Sequence, residues 1–178
     1  IDTSVAFVRA ARQLMQERNL SFALKEEGQL GREATIRLPD DWRSERVEFL
    51  VANALALPLR RDAISLFASL NLVDKVPAPL DHLREMNRVT RDRDAQFLLS
   101  DPFSWSVEAA PPQAWLGGTS AGRFAGRGQA NIARLLADPA GELAPVGQVD
   151  EPGHVWWKIR THANHYELIR SCFVRASR

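Results

Sequence analysis

The chain has 178 residues, 45% of them hydrophobic and 25% charged, with 23 basic against 22 acidic side chains and a net charge of +1. This is the composition of an ordinary globular protein, which excludes intrinsic disorder; the near-neutral balance excludes the basic excess of a dedicated nucleic-acid binder. No apolar run reaches the ~18 residues needed to span a bilayer, and a single cysteine, Cys172, excludes an intrachain disulfide and reads as a small buried hydrophobe beside Phe173 and Val174.

Residues 3–18 are predicted to form a helix. Thr3 or Ser4 supplies the cap, and Val5, Val8, Ala11, Leu14 and Met15 form one apolar stripe. Residue 1 is Ile, as expected of a fragment or a processed chain, which leaves the compartment open. Residues 21–38 alternate in character on either side of Glu26-Glu27-Gly28-Gln29-Leu30-Gly31, the pattern of a β-hairpin with Glu26 and Glu27 solvated at its tip. A second helix is expected after Asp40 or Asp41, from the spacing of Val47, Leu50, Val51, Ala54 and Leu55. Pro58 is placed to start a third, with Leu59, Ala63, Phe67 and Leu70 on one face. Residues 80–99 read as a fourth, with Leu80, Leu83 and Met86 inward, the charged run Arg84–Asp94 on its solvated face, and Asp81 and His82 in a capping context at its head. Asp101-Pro102, Pro111-Pro112 and Gly117-Gly118 then mark a boundary over 100–120, with a Pro/Gly linker at 106–118; Phe103, Trp105 and Trp115 are expected to pack there rather than stay in water.

After Gly118 the texture becomes that of short strands. The region from Gly117 to Arg178 carries eight basic and five acidic residues, a mild positive excess. Val155, Trp157, Ile159 and Thr161 fall on one face of a strand, and Trp156, Lys158 and Arg160 on the other. Turn residues separate this run from Glu142–Val149 and from Glu167–Arg175, so a small antiparallel barrel or sandwich is expected.

An ordered set of segments resembles the bacterial SH3 (SH3b) family. The Gly/Arg-rich loop Arg123–Ala130 stands where that family has its first long loop. Asn131–Leu135, Gly141–Gln148, Val155–Arg160 and Phe173–Arg175 are similar to its successive strands; Glu167-Leu168-Ile169 stands where the family has Gly-Trp-Val. The resemblance covers about 60 residues, counted along the sequence. It implies an SH3-like antiparallel β-barrel over 119–178; with the helices and hairpin read from spacing in the preceding segments, the expected fold is α+β, a mostly helical N-terminal domain (1–105) with one hairpin, the linker (106–118) and the barrel. The resemblance also implies a non-enzymatic binding or adaptor role in a bacterial envelope or secretion-related system, with a protein or cell-wall peptide as partner and no cofactor. If Trp157 and Ile159 pack inward, Trp156 points out, so the expected contact residues are Trp156, Lys158, Arg160 and Tyr166, with Arg123 and Arg127 on the loop.

The glycine-rich loop and the histidines invite two sharper chemistries. The loop Gly117–Gly128 has backbone amides suited to a phosphate and an Arg-x-x-Gly-x-Gly spacing similar to that of acyl-CoA-dependent acetyltransferases, which makes an acyl-CoA or nucleotide-dependent transferase the alternative. The Gly-Lys-Ser/Thr end of a P-loop is absent, and Pro111-Pro112 upstream cannot lie in a central strand. His154, His162 and His165 are too few and too turn-bound for a structural zinc site, and no Ser/His/Asp order suggests a triad.

Overall fold

In the computed structural model, which describes residues 1–145 and 147–178, the chain forms two compact units, one comprising Ile1–Ala54 and Lys158–Leu168, the other Leu55–Trp157 and Ile169–Arg178.

The first unit opens with helix α1, Val5–Glu17. Ser4 caps it by accepting from the Phe7 N–H at 3.2 Å, and Arg18 ends it in the left-handed region at φ 59°. Strands β1 (Asn19–Glu27) and β2 (Leu30–Arg37) follow as an antiparallel hairpin with Phe22 opposite Ala34 and Leu20 opposite Ile36. The helix expected after Asp40 does not form. Its backbone groups find partners elsewhere: the Phe49 carbonyl accepts from Arg12, and the Leu50 carbonyl from the Asp2 N–H at 3.1 Å. Val47 and Val51 stay exposed while Leu50, Ala54 and Leu55 are half-buried, so the stripe is not buried as one helical face, and periodicity without a packing face does not sustain a helix.

The second unit is built on a β-α-β crossover. Strand β3 (Leu66–Leu70) leads through helix α2 (Pro79–Val89) to β4 (Gln96–Asp101), which lies parallel to β3 in the register Leu66↔Gln96 to Leu70↔Ser100. The helix expected from Pro58 is therefore an extended segment and a strand. Arg88 of α2 draws the Leu57 and Leu59 carbonyls to itself at 3.1 and 3.0 Å, which leaves them unavailable to a helical turn. The helix expected over 80–99 stops at Val89. There the Thr90 hydroxyl donates back to the Met86 carbonyl, and Gln96–Asp101 is recruited into the sheet. His82 stands within α2 and not at its N-cap, which is Ala78; it is buried, with Nε2 2.8 Å from the Ser69 hydroxyl of β3.

Helix α3 spans Gly128–Ala137. It is followed by strands β5 (Gln148–Val149), β6 (Gly153–His162) and β7 (His165–Ser177). β7 runs antiparallel to β4, with Gln96 opposite Ser177 and Asp101 opposite Cys172; β5 and β6 also pair with β7, giving the order β3-β4-β7-β5 with β6 beside β7. Leu83 and Met86 of α2, Ile132 and Leu136 of α3, and Phe97, Leu99, Val174 and Ala176 of the sheet make one core with Leu116 and Leu143. Arg178 closes it. Its guanidinium donates to the Thr90 and Asn87 carbonyls at the end of α2 and stacks 4.7 Å over the Phe97 ring, favourable for a cation beside a helix C-terminus.

The fold expected from the sequence, a mostly helical N-terminal domain with a β-hairpin followed by an SH3-like antiparallel β-barrel, is overturned. Among the described residues the helices are three and short, and the sheets are two and open. Asn131–Leu135, expected as a barrel strand, lies inside α3. Its Ile132 and Leu136 fall one helical turn apart and both are buried, while Ala, Gln, Leu and Arg around them are good helix formers. Glu142–Val149 yields only the two residues of β5, and Val146 of that expected strand lies outside the described residues. Besides its hairpin partner β6, β7 pairs with β4, more than sixty residues earlier, so the last strands join an open sheet instead of closing a barrel among themselves. Ile159, expected in a barrel interior, is 39% exposed. No helix among the described residues is long and apolar enough to cross a membrane.

Candidate functional site

Within the second unit, β6 presents two adjacent tryptophans to opposite sides, as strand alternation requires. Trp157 turns inward. Its indole N–H donates to the Ser171 hydroxyl at 2.9 Å, and that hydroxyl donates on to Asn71 Oδ1 at 2.8 Å. Trp156 is 59% exposed. The His154 ring meets it edge-on, with centroids 6.3 Å apart and planes at 89°. His154 Nδ1 accepts from the Arg170 guanidinium at 3.2 Å, which places the proton of the neutral ring on Nε2. Among the described residues Arg170 has no carboxylate within ion-pairing distance. The result is an exposed aromatic face held beside a positioned, unneutralised guanidinium.

The first unit holds three more of the expected contact residues. The Lys158 ammonium lies 5.2 Å from the centroid of the half-exposed Tyr166 ring. Arg160 is committed to an ion pair with Glu26 at 2.9 Å, and Glu26 also receives Arg32 at 3.0 Å. Glu26 is thus an ion-pair hub rather than a free carboxylate at a turn tip. His162 and His165 approach each other at the β6–β7 turn, with centroids 5.6 Å apart. Among the described residues no group of three or more His, Cys, Asp or Glu side chains is arranged to hold a metal.

Arg123 and Arg127 belong to the Gly/Arg loop of the second unit, and that loop is closed on itself. The Gly118 N–H donates to the Gly126 carbonyl at 2.7 Å, Gly126 N–H to Thr119 at 2.8 Å, and Ala125 N–H to Gly122 at 3.2 Å. Arg123 stacks 4.8 Å from the Phe124 ring and bonds Glu142, which Arg84 also bonds; these partners, Arg123 foremost, hold the Glu142 carboxyl below its ordinary range. Arg127 is exposed at the start of α3 without capping it through its side chain. An open groove of about 360 Å³ runs along the loop, lined by Trp115, Phe124, Arg123 and Thr119. Buried Asn131 of α3 anchors the whole loop, its amide lying 2.9 Å from the Leu116 and Phe124 carbonyls and 3.3 Å from that of Ala125. Asn131→Ala orphans carbonyls in a dry site and is expected to cost about 2 kcal/mol in a urea unfolding curve.

The sequence reading missed His154 and Arg170. His154 was within reach, since it stands two residues before Trp156 and so shares its face. Arg170 was not, because its place beside His154 depends on how β6 and β7 pair. No family model and no curated protein sequence matches the chain.

Proposed function

We propose that the protein is a non-enzymatic binding module that docks an acidic peptide segment, of a protein or of the cell wall, on the surface formed by Trp156, His154 and Arg170. The observation carrying this reading is that Trp156 is 59% exposed while its neighbour Trp157 is tied down through Ser171. An aromatic side chain left in water is a natural anchor, and interface energy concentrates in Trp, Tyr and Arg. His154 braces both the ring and the guanidinium, so little side-chain entropy is lost on docking. The free positive charge of Arg170 selects carboxylates. A setting in a bacterial envelope or secretion-related system rests on the likeness of Val155–Arg160 and Phe173–Arg175 to SH3b strands. The transferase alternative has less support, because the Gly118, Ala125 and Gly126 amides are spent inside their own loop.

The test is titration of the intact chain with acidic peptides by calorimetry. Trp156→Ala is expected to weaken binding by about 2 kcal/mol, roughly thirtyfold, while Tm stays within about 2 °C. A large loss of Tm instead would make Trp156 a structural residue and remove the site. Arg170→Gln is expected to weaken binding less and to flatten its dependence on salt.

A further inference from the structure

Two carboxylates are buried together at the carboxyl ends of the parallel pair β3–β4. Asp101 is the last residue of β4, and Asp74 lies in the single helical turn Val73–Lys75 that follows β3; each is 1% exposed. Asp101 Oδ1 accepts from the Phe103 N–H at 2.7 Å, and its Oδ2 from the Asp74 N–H at 3.3 Å. Asp74 Oδ2 accepts from the Ser104 N–H at 2.6 Å and faces the Lys75 ammonium at 3.3 Å. Asp74 Oδ1 is buried and receives no hydrogen bond among the described residues. A buried carboxylate oxygen without a donor is costly, and two like charges in one dry site cannot both be sustained. A single proton shared by the pair removes both difficulties, since it cancels one charge and supplies the missing donor.

We propose that Asp74 and Asp101 hold one proton between them as a latch on the segment Phe103–Trp105, closed in mild acid and loosened when the second carboxyl ionises. Burial, and then the charge of Asp74, push the Asp101 carboxyl up to about 6, against the pull of the Phe103 and Asp74 amides. Lys75 is the cation that faces the pair. Cys172 of β7 lies opposite Asp101 in register, and buried His82 of α2 is engaged with Ser69. The latch holds Phe103 at φ 54°, a strained value for an aromatic residue, and so seats its ring against Gly128 at the start of α3. Trp105 follows, stacked on Trp115 at 6.2 Å. The sign follows from linkage. The unfolded carboxyl titrates at 3.8 and the folded one at about 6, so the native state binds the extra proton. Stability is highest below the unfolded value, falls as pH rises between the two, and stays low above the folded value.

The experiment is a carboxyl-carbon NMR titration of Asp101 in the intact protein, with amide-exchange protection of Phe103 and Ser104 at pH 5 and 7.5. The expected midpoint is about 6, with protection, corrected for intrinsic exchange, falling about tenfold at the higher pH. A midpoint below about 4.5, the ordinary carboxyl range, overturns the shared proton; unchanged protection overturns the latch. Asp101→Asn removes the titrating charge, though its single oxygen can accept only one of the Phe103 and Asp74 N–H bonds, and is expected to remove the parent's extra pH slope whatever its absolute Tm. A variant that keeps the full slope overturns the assignment, and the wild-type titration decides the matter if the variant does not fold.

Discussion

Replacing Gly117 by alanine is expected to destabilise the second unit by about 3 kcal/mol or more, the largest effect of any single methyl group added to this chain. Gly117 runs directly beneath the start of α3. A Cβ there would lie 2.5 Å from Gly128 Cα and 2.9 Å from the carbonyl carbon of Arg127. Both neighbours are backbone, so no rotamer change relieves the clash. Leu116, its neighbour, is fully buried in the core, and the Leu116 carbonyl is held by Asn131, so the chain cannot step aside without breaking both. Urea unfolding followed by tryptophan fluorescence measures the loss. Four of the five tryptophans, 105, 115, 156 and 157, belong to the second unit, so the signal reports on it. A variant as stable as the parent would show that the loop and α3 do not approach this closely.

Phe97→Ala is expected to cost about 3–5 kcal/mol, the usual price of emptying a well-packed aromatic site. Phe97 is 1% exposed near the start of β4, a strand with neighbours on both sides, and belongs to the core shared by α2, α3 and the sheet. The change also takes away the ring beneath the Arg178 guanidinium, which would then lie beside a cavity. For a protein of this size the loss corresponds to a drop in Tm of about 10 °C. Calorimetry of parent and variant at one pH checks it, and a drop under about 3 °C would mean that the site collapses around the missing ring.

Helix α1, the β1–β2 hairpin and the core of α2 were legible in the sequence because each is decided within a few residues. Ser4 caps, Gly28 and its neighbours turn, and Pro79 starts a helix whose Leu83 and Met86 then fall inward. That Trp156 and Trp157 lie on opposite faces was legible for the same reason, since alternation along one strand is a local rule; that Trp156 is exposed was not, because a strand pattern does not say what covers either face.

What the chain could not disclose is which segments meet. Leu59, Ala63, Phe67 and Leu70 have helical spacing, yet Leu66–Leu70 becomes a strand because Gln96–Ser100 pairs with it and Arg88 claims the carbonyls before it. Phe173–Arg175 has the character of a closing barrel strand, yet its partner is β4, so the sheet stays open. The buried pair Asp74 and Asp101 and the bracing of Trp156 by Arg170 through His154 arise in the same way, from residues brought together by strand pairing. Spacing along a chain records which side chains share a face, and so determines caps, turns and amphipathic stripes. Pairing between distant segments is decided by the free energy of the whole core, and only the tertiary structure expresses it.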